Sequence, residues 1–129
     1  MEYYHMTPER NVRSIQKTGL VPGSLRSFSS EAERKAVGRA IFLARSWEEA
    51  RMQLDLFGGD EPGVRVRNWA IFRVSLPEGH TLLEDYEGYL YTTLPIPPSR
   101  LELVWTDTAW RKKMLEEYGH DYGEIKDEA

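Results

Sequence analysis

The stretch Trp69-Ala70-Ile71-Phe72-Arg73-Val74-Ser75-Leu76 constrains the fold more than any other part of the chain. Aromatic and β-branched residues dominate it and Pro77-Glu78-Gly79 closes it, which is the pattern of a strand. Two more strand signals follow. Tyr89-Leu90-Tyr91-Thr92-Thr93 ends at Pro95-Ile96-Pro97-Pro98, and Arg100-Leu101-Glu102-Leu103-Val104-Trp105 alternates like a final core strand. Residues 81–85 are too short to assign. A helix over residues 108–118, capped by Thr106 or Asp107 and stopped by Gly119, follows the last strand. Strands gathered in the second half predict an α+β fold rather than a regularly alternating parallel sheet.

The first half supplies a strand and a helix, then another strand and another helix. Tyr3-Tyr4-His5-Met6 is a short apolar strand. Thr7 is placed to cap a helix with its hydroxyl, and Pro8 falls at the first helical position, where a missing N–H costs nothing. Gly19 stands where a left-handed residue ends that helix. Val21-Pro22-Gly23-Ser24 is a turn, and residues 25–35 are a polar, serine-rich loop. Gly38-Arg39-Ala40-Ile41-Phe42-Leu43-Ala44 is a short buried strand. Ser46 caps a second helix over residues 47–57, with Glu48 and Glu49 in its first turn and Trp47, Ala50, Leu54 and Phe57 as its core face. Residues 58–63 are a Gly- and Pro-rich connector.

A chain of 129 residues is expected to form one domain, here residues 1–119, with 120–129 a polar tail short of apolar anchors. The net charge of −4 argues against a protein that holds nucleic acid by bulk charge alone, and the absence of cysteine excludes disulfides, thiolate chemistry and cysteine-bound zinc. No apolar run approaches a membrane span, and Glu2 and His5 interrupt any signal-peptide pattern, so the expected setting is the cytoplasm with no membrane partner.

No glycine-rich phosphate loop, metal-binding histidine pair or nucleophile elbow is written in the chain, and no metal is expected. The acid pairs Glu48-Glu49, Glu84-Asp85 and Glu116-Glu117 read as solvated faces. Arg65, Arg67, Trp69, Phe72 and Arg73 interleave charge with aromatic rings. They form either a surface that receives nucleic acid or, more ordinarily, a half-buried strand with a basic outer face. His5 stands at a strand-to-helix junction, where it either lines a pocket or simply precedes a helix.

Tyr4-His5-Met6-Thr7, with Ile15 and Gly19-Leu20, resembles the first motif of the ADP-ribosyltransferase superfamily. Ala40-Ile41-Phe42-Leu43-Ala44 followed by Ser46 resembles its second motif. The segment from Tyr89 through Ile96-Pro97-Pro98-Ser99-Arg100 is similar to the third, where a strand leads into an Ile-Pro-Pro element. The resemblance implies an ADP-ribosyltransferase-like fold of split, curved antiparallel β-sheets with short flanking helices, holding NAD in the cleft between them. It implies transfer of ADP-ribose from NAD to a macromolecular acceptor, protein or nucleic acid. In the histidine branch, the first-motif His bonds the nicotinamide ribose and a second-motif Tyr stacks near the nicotinamide ring. A later Glu orients the ribose and supports the cationic transition state, as a carboxylate beside an oxocarbenium-like centre does.

Carried over, the catalytic pair is His5 and Glu87. The NAD-contacting set is His5, Met6, Thr7, Phe42, Ser46 and Tyr89, with Phe42 lacking the family's tyrosine hydroxyl. Glu87 lies nine residues before Ile96 and shares a strand face with Tyr89 and Tyr91 if that strand is regular; Gly88 separates it from the apolar run, and a shorter spacing would put Tyr89 or Tyr91 in its place. An ordinary turn acid is the other reading, and Glu84 is a more distant candidate.

Two alternatives share the fold. RNA 2′-phosphotransferases have a similar His-containing first motif and Ile-Pro-Pro ending but use Arg and His in place of Glu. Arg26 resembles one of their arginines, with Arg45 or Arg73 as further candidates, although their additional winged-helix domain is not expected here. A catalytically silent module that binds NAD, ADP-ribose or a protein partner is the other.

Overall fold

Strand β3 (Trp69–Ser75) is the spine of the larger of two antiparallel sheets, flanked by β1 (Glu2–Pro8) on one side and β6 (Leu101–Thr106) on the other. The computed structural model describes residues 1–22, 40–57, 68–85 and 88–119, with the backbone alone for 54–57. Among the described residues the chain forms three α-helices and two small antiparallel sheets. The helices are α1 (Val12–Thr18), α2 (Trp47–Phe57) and α3 (Asp107–Tyr118). The smaller sheet has the order β2 (Ile41–Leu43), β5 (Leu90–Thr92), β4 (Leu83–Glu84).

The two sheets meet at β1. Tyr4 and Ala44 exchange backbone hydrogen bonds of 2.9 and 2.7 Å, so β1 lies against β3 on one edge and touches the end of β2 on the other. Because side chains alternate along a strand, β1 feeds two cores. Tyr3 packs with Ile15, Leu20, Ile41, Phe72 and Ile96, while Met6 packs with Ala44, Ala50, Trp69 and Ile71.

Helices α2 and α3 follow their local signals. The Ser46 hydroxyl accepts from the Glu49 amide at 3.0 Å, and the Thr106 hydroxyl from the Ala109 amide at 3.2 Å. Gly119 then adopts a left-handed conformation with φ 73°, ending α3.

Four expectations need correction. Thr7 and Pro8 do not start a helix: β1 runs through Pro8, which pairs opposite Trp69, and a 3₁₀ turn (Glu9–Asn11) intervenes before α1. The ladder to β3 has claimed both residues, and the buried Thr7 hydroxyl instead accepts from the Asn11 side-chain amide at 3.3 Å. Strand β6 is half-buried rather than a core strand: among the described residues β3 is its one partner, and α3 buries no residue. Trp69 and Phe72 are 4% and 1% exposed, so neither can stack on a nucleic-acid base, and the first four residues of β3 are buried on both faces. Strand β5 runs over Leu90–Thr92 rather than from Tyr89, which with Gly88 (φ 88°) precedes it; Glu87, whose shared face depended on a regular strand, lies outside the described residues.

Candidate functional site

A pocket of about 260 Å³ opens between β1, α1 and β2. His5 and Thr7 line one wall, both on the β1 face that points toward α1. Asn11, Ser14 and Thr18 line the helical wall, and Ile15, Leu20, Ile41 and Phe42 supply apolar lining. Three- and four-residue steps bring Asn11, Ser14 and Thr18 to one side of the turn and helix. That polar stripe was legible in the sequence as a repeat, though nothing there said what it would face.

His5 Nδ1 lies 2.8 Å from the carbonyl oxygen of Phe42. A carbonyl only accepts, so Nδ1 carries the proton and donates, leaving Nε2 as the basic nitrogen of the neutral ring. The contact joins strands 37 residues apart and sets the orientation of the imidazole. Phe42 itself is buried, and its ring lies 5.6 Å from that of Tyr91, its cross-strand partner on β5. Tyr91, half-buried, brings a phenol beside a position that lacks one.

The far end of the pocket is closed by a clamp. Gly19 donates to the Ile15 carbonyl at 2.7 Å and turns the chain with φ 82°, ψ −170°, an extended left-handed-side conformation rather than the helical one expected. Leu20 and Ile96 then exchange backbone hydrogen bonds of 2.8 and 2.9 Å. A Cβ on Gly19 would collide with the Ile96 carbonyl, so both the dihedral and the close approach require glycine.

Three of the other expected site residues occupy different surroundings. Met6 points into the second core, away from the pocket. Ser46 is the cap of α2. Tyr89 precedes β5 in the turn that follows β4, its amide donating to Asp85 Oδ1 at 2.8 Å. Glu87 and Arg26 lie outside the described residues. Glu84 is ion-paired with Arg45 at 2.7 Å, and Arg73 with Glu102 at 2.8 Å.

Asp107 lies away from the pocket, at the start of α3. Burial pushes its carboxyl above the ordinary carboxylate range, an effect opposed by the hydrogen bond it accepts from the Trp69 amide and by Arg111. Among the described residues no three His, Cys, Asp or Glu side chains stand together as metal ligands. No helix there is long and apolar enough to cross a membrane.

Set against known family models, curated proteins and solved structures, the chain matches none. The pocket's lining offers a fixed imidazole, hydroxyls and an amide from Thr7, Ser14, Thr18 and Asn11, and an apolar side made by Ile15, Leu20 and Ile41. That combination suits a ligand with a ring to bury and a polyhydroxylated part to bond.

Proposed function

We propose that the chain is an NAD-dependent ADP-ribosyltransferase-like protein that transfers ADP-ribose from NAD to a macromolecular acceptor, protein or nucleic acid. The observation that carries this reading is that two of the motif-bearing segments line one pocket and the third is paired to the first at Leu20, a lining residue. His5 of the first bonds the Phe42 carbonyl of the second at 2.8 Å, and Leu20 of the first pairs with Ile96 of the third. The donors fit a nicotinamide riboside: His5 and Thr7 for ribose hydroxyls, Phe42 near the ring, and Asn11, Ser14 and Thr18 toward the rest of the dinucleotide. A volume of 260 Å³ is at the lower edge of ligand pockets, which run from ~300 Å³ upward, and so matches one nucleoside half rather than all of NAD.

In the proposed reaction the bond between nicotinamide and ribose breaks, its electron pair leaving with nicotinamide. A nucleophile of the acceptor bonds the same ribose carbon and gives up its proton. Glu87 is the acid assigned to support the positive charge that develops on the ribose. Supported reading and acid assignment separate in one titration: NAD added to wild type, His5→Ala and Glu87→Gln, with nicotinamide release followed alongside. The expected outcome is NAD binding in the wild type, weakened by His5→Ala, with release cut roughly 10²-fold or more by Glu87→Gln. Absence of NAD binding in the wild type defeats the proposal, and release untouched by Glu87→Gln removes only the acid.

A second reading, a silent NAD- or ADP-ribose-binding module of the same fold, is favoured by Phe42, which has no hydroxyl and packs its ring against Tyr91. Binding without release would select it. The RNA 2′-phosphotransferase reading has less support, because Arg45 and Arg73 are both engaged by carboxylates rather than turned to the pocket.

A further inference from the structure

Residues 10–22 carry Arg10, Arg13 and Lys17 and no acid, in a chain whose net charge is −4. All three cations are exposed, and among the described residues none of them is ion-paired. Glu9, the acid that precedes Arg10, is engaged elsewhere: its Oε2 accepts from the Thr108 hydroxyl at 2.7 Å. Arg45, Arg73 and Lys113, by contrast, each stand within ion-pair distance of a carboxylate.

Helical spacing puts the three cations in one row. Arg13 and Lys17 are four residues apart on α1, and Arg10, in the 3₁₀ turn, is three before Arg13. Ser14 borders that row, one residue after Arg13 and three before Lys17, and with Asn11 and Thr18 it lines the pocket. The row therefore runs beside the helical rim of the pocket rather than inside it, and among the described residues no Arg, Lys, Asp or Glu lines the pocket itself.

Like charges at these spacings destabilise a helix, so folding gives no account of the row. A protein interface needs an apolar or aromatic anchor at its centre, where lysine is depleted. Arg10, Arg13, Ser14 and Lys17 offer polar and cationic contacts alone, the makeup of a surface that meets nucleic acid. Length agrees as well. The steps from Arg10 to Lys17 rise about 10 Å at ~1.5 Å each, and a strand carries one charge per ~3.4 Å of axis, which sets roughly three phosphates against three cations.

We propose that this row is the docking surface for the acceptor, and that the acceptor is a nucleic-acid strand whose phosphates lie on Arg10, Arg13 and Lys17 beside the pocket mouth. This rests on the ADP-ribosyltransferase reading above and selects nucleic acid over protein. The transfer balances as before: a nitrogen or oxygen of the strand bonds the ribose carbon and loses its proton, and nicotinamide leaves with the electron pair of the broken bond.

The test follows binding of a short fluorescent single-stranded DNA or RNA across roughly 50 to 200 mM salt. It compares wild type, Arg10→Gln, Arg13→Gln, Lys17→Gln and the triple variant, with Lys112→Gln on α3 as the control; glutamine keeps the helix preference of the residues it replaces. Three phosphate contacts give a slope of log K against log salt of about −2, and each single row variant should reduce its magnitude by about 0.7. The triple variant should lose the slope, and Lys112→Gln should keep it. With NAD added, labelled ADP-ribose should appear on the oligonucleotide and fall roughly 10-fold or more in the triple variant, with NAD affinity unchanged. A wild-type slope in the triple variant overturns the proposal, as does an equal loss in Lys112→Gln. Matching loss of NAD affinity in the triple variant also overturns it and assigns the row to the dinucleotide's own phosphates. Label on protein and none on the oligonucleotide overturns it in favour of a protein acceptor. If the wild type binds the strand with the expected slope but does not bind NAD, the transferase reading falls and the nucleic-acid surface stands.

Discussion

Strands β1, β3 and β6 run for seven, seven and six residues, whereas β2, β5 and β4 run for three, three and two. The larger sheet is held by its ladder and by apolar burial: Ile71 and Val74 are fully buried and Phe72 is 1% exposed. The smaller sheet shares part of that core through Ile41, Leu43 and Leu90, but side chains tie its remainder together. Arg45 grips the β4–β5 turn, and His80 Nε2 shares a 3.0 Å hydrogen bond with the buried Thr92 hydroxyl, which also accepts from the Leu94 amide. The pocket lies where the two plans meet, with His5 on the long strand β1 and Phe42 on the short strand β2. The longer sheet carries the imidazole's backbone, and the shorter one, through the buried strand β2, supplies its hydrogen-bond acceptor.

The sharpest way to break this comparison is to remove one buried ring from β3. Phe72→Ala should cost about 3–5 kcal/mol, read as a lower denaturation midpoint, while Leu90→Ala in the smaller sheet should fall near the low end of the range for such truncations, about 2 kcal/mol. Equal losses would mean that both sheets contribute alike to the core. Next in size is Gly19→Ala. Positive φ together with the collision at Ile96 should cost about 2–3 kcal/mol and open the clamp at the far end of the pocket, so NAD binding should weaken along with stability. A variant that keeps full affinity would show that the clamp does not shape the site.

The smallest expected effect concerns Asp107, which ties α3 to the larger sheet through the Trp69 amide. Its folded-state pKa lies above the unfolded value of 3.8, so the folded chain holds the proton more tightly. The stability this contributes is fully present below pH 3.8 and is lost as pH rises through the folded pKa. Asp107→Asn keeps an acceptor for the amide and cannot titrate. The stability of Asp107→Asn relative to wild type should therefore rise across that window and level off above it, in denaturation curves taken as a function of pH. A difference that is flat with pH would remove Asp107 as a titrating tie.

How much of this was legible beforehand differs residue by residue. Caps and stops were readable at Ser46, Thr106 and Gly119 because each acts within one turn of helix. The strand at 69–75 was readable from its own composition. Thr7 and Pro8 misled because their local preference for a helix start competed with a ladder to Trp69 and Ala70, residues more than sixty positions away in the chain. Arg45 was legible only as a further candidate arginine, and Tyr91 only as sharing a strand face with Glu87, since nothing nearby in sequence reveals Gly88 or Phe42 as their neighbours.

What the sequence determined by itself was therefore the local vocabulary: a mixed α and β chain, the caps of α2 and α3, and the glycine that must turn at residue 19; His5, expected at a strand end, lies in the middle of β1 opposite Phe72. Tertiary structure alone decided which strands pair, where β1 ends, and that the His5 ring meets the Phe42 carbonyl. The physical reason is range. Capping and periodicity act over three or four residues, while the contacts that build the pocket join His5 to Phe42 and Leu20 to Ile96, across loops whose closure depends on every other contact forming with them.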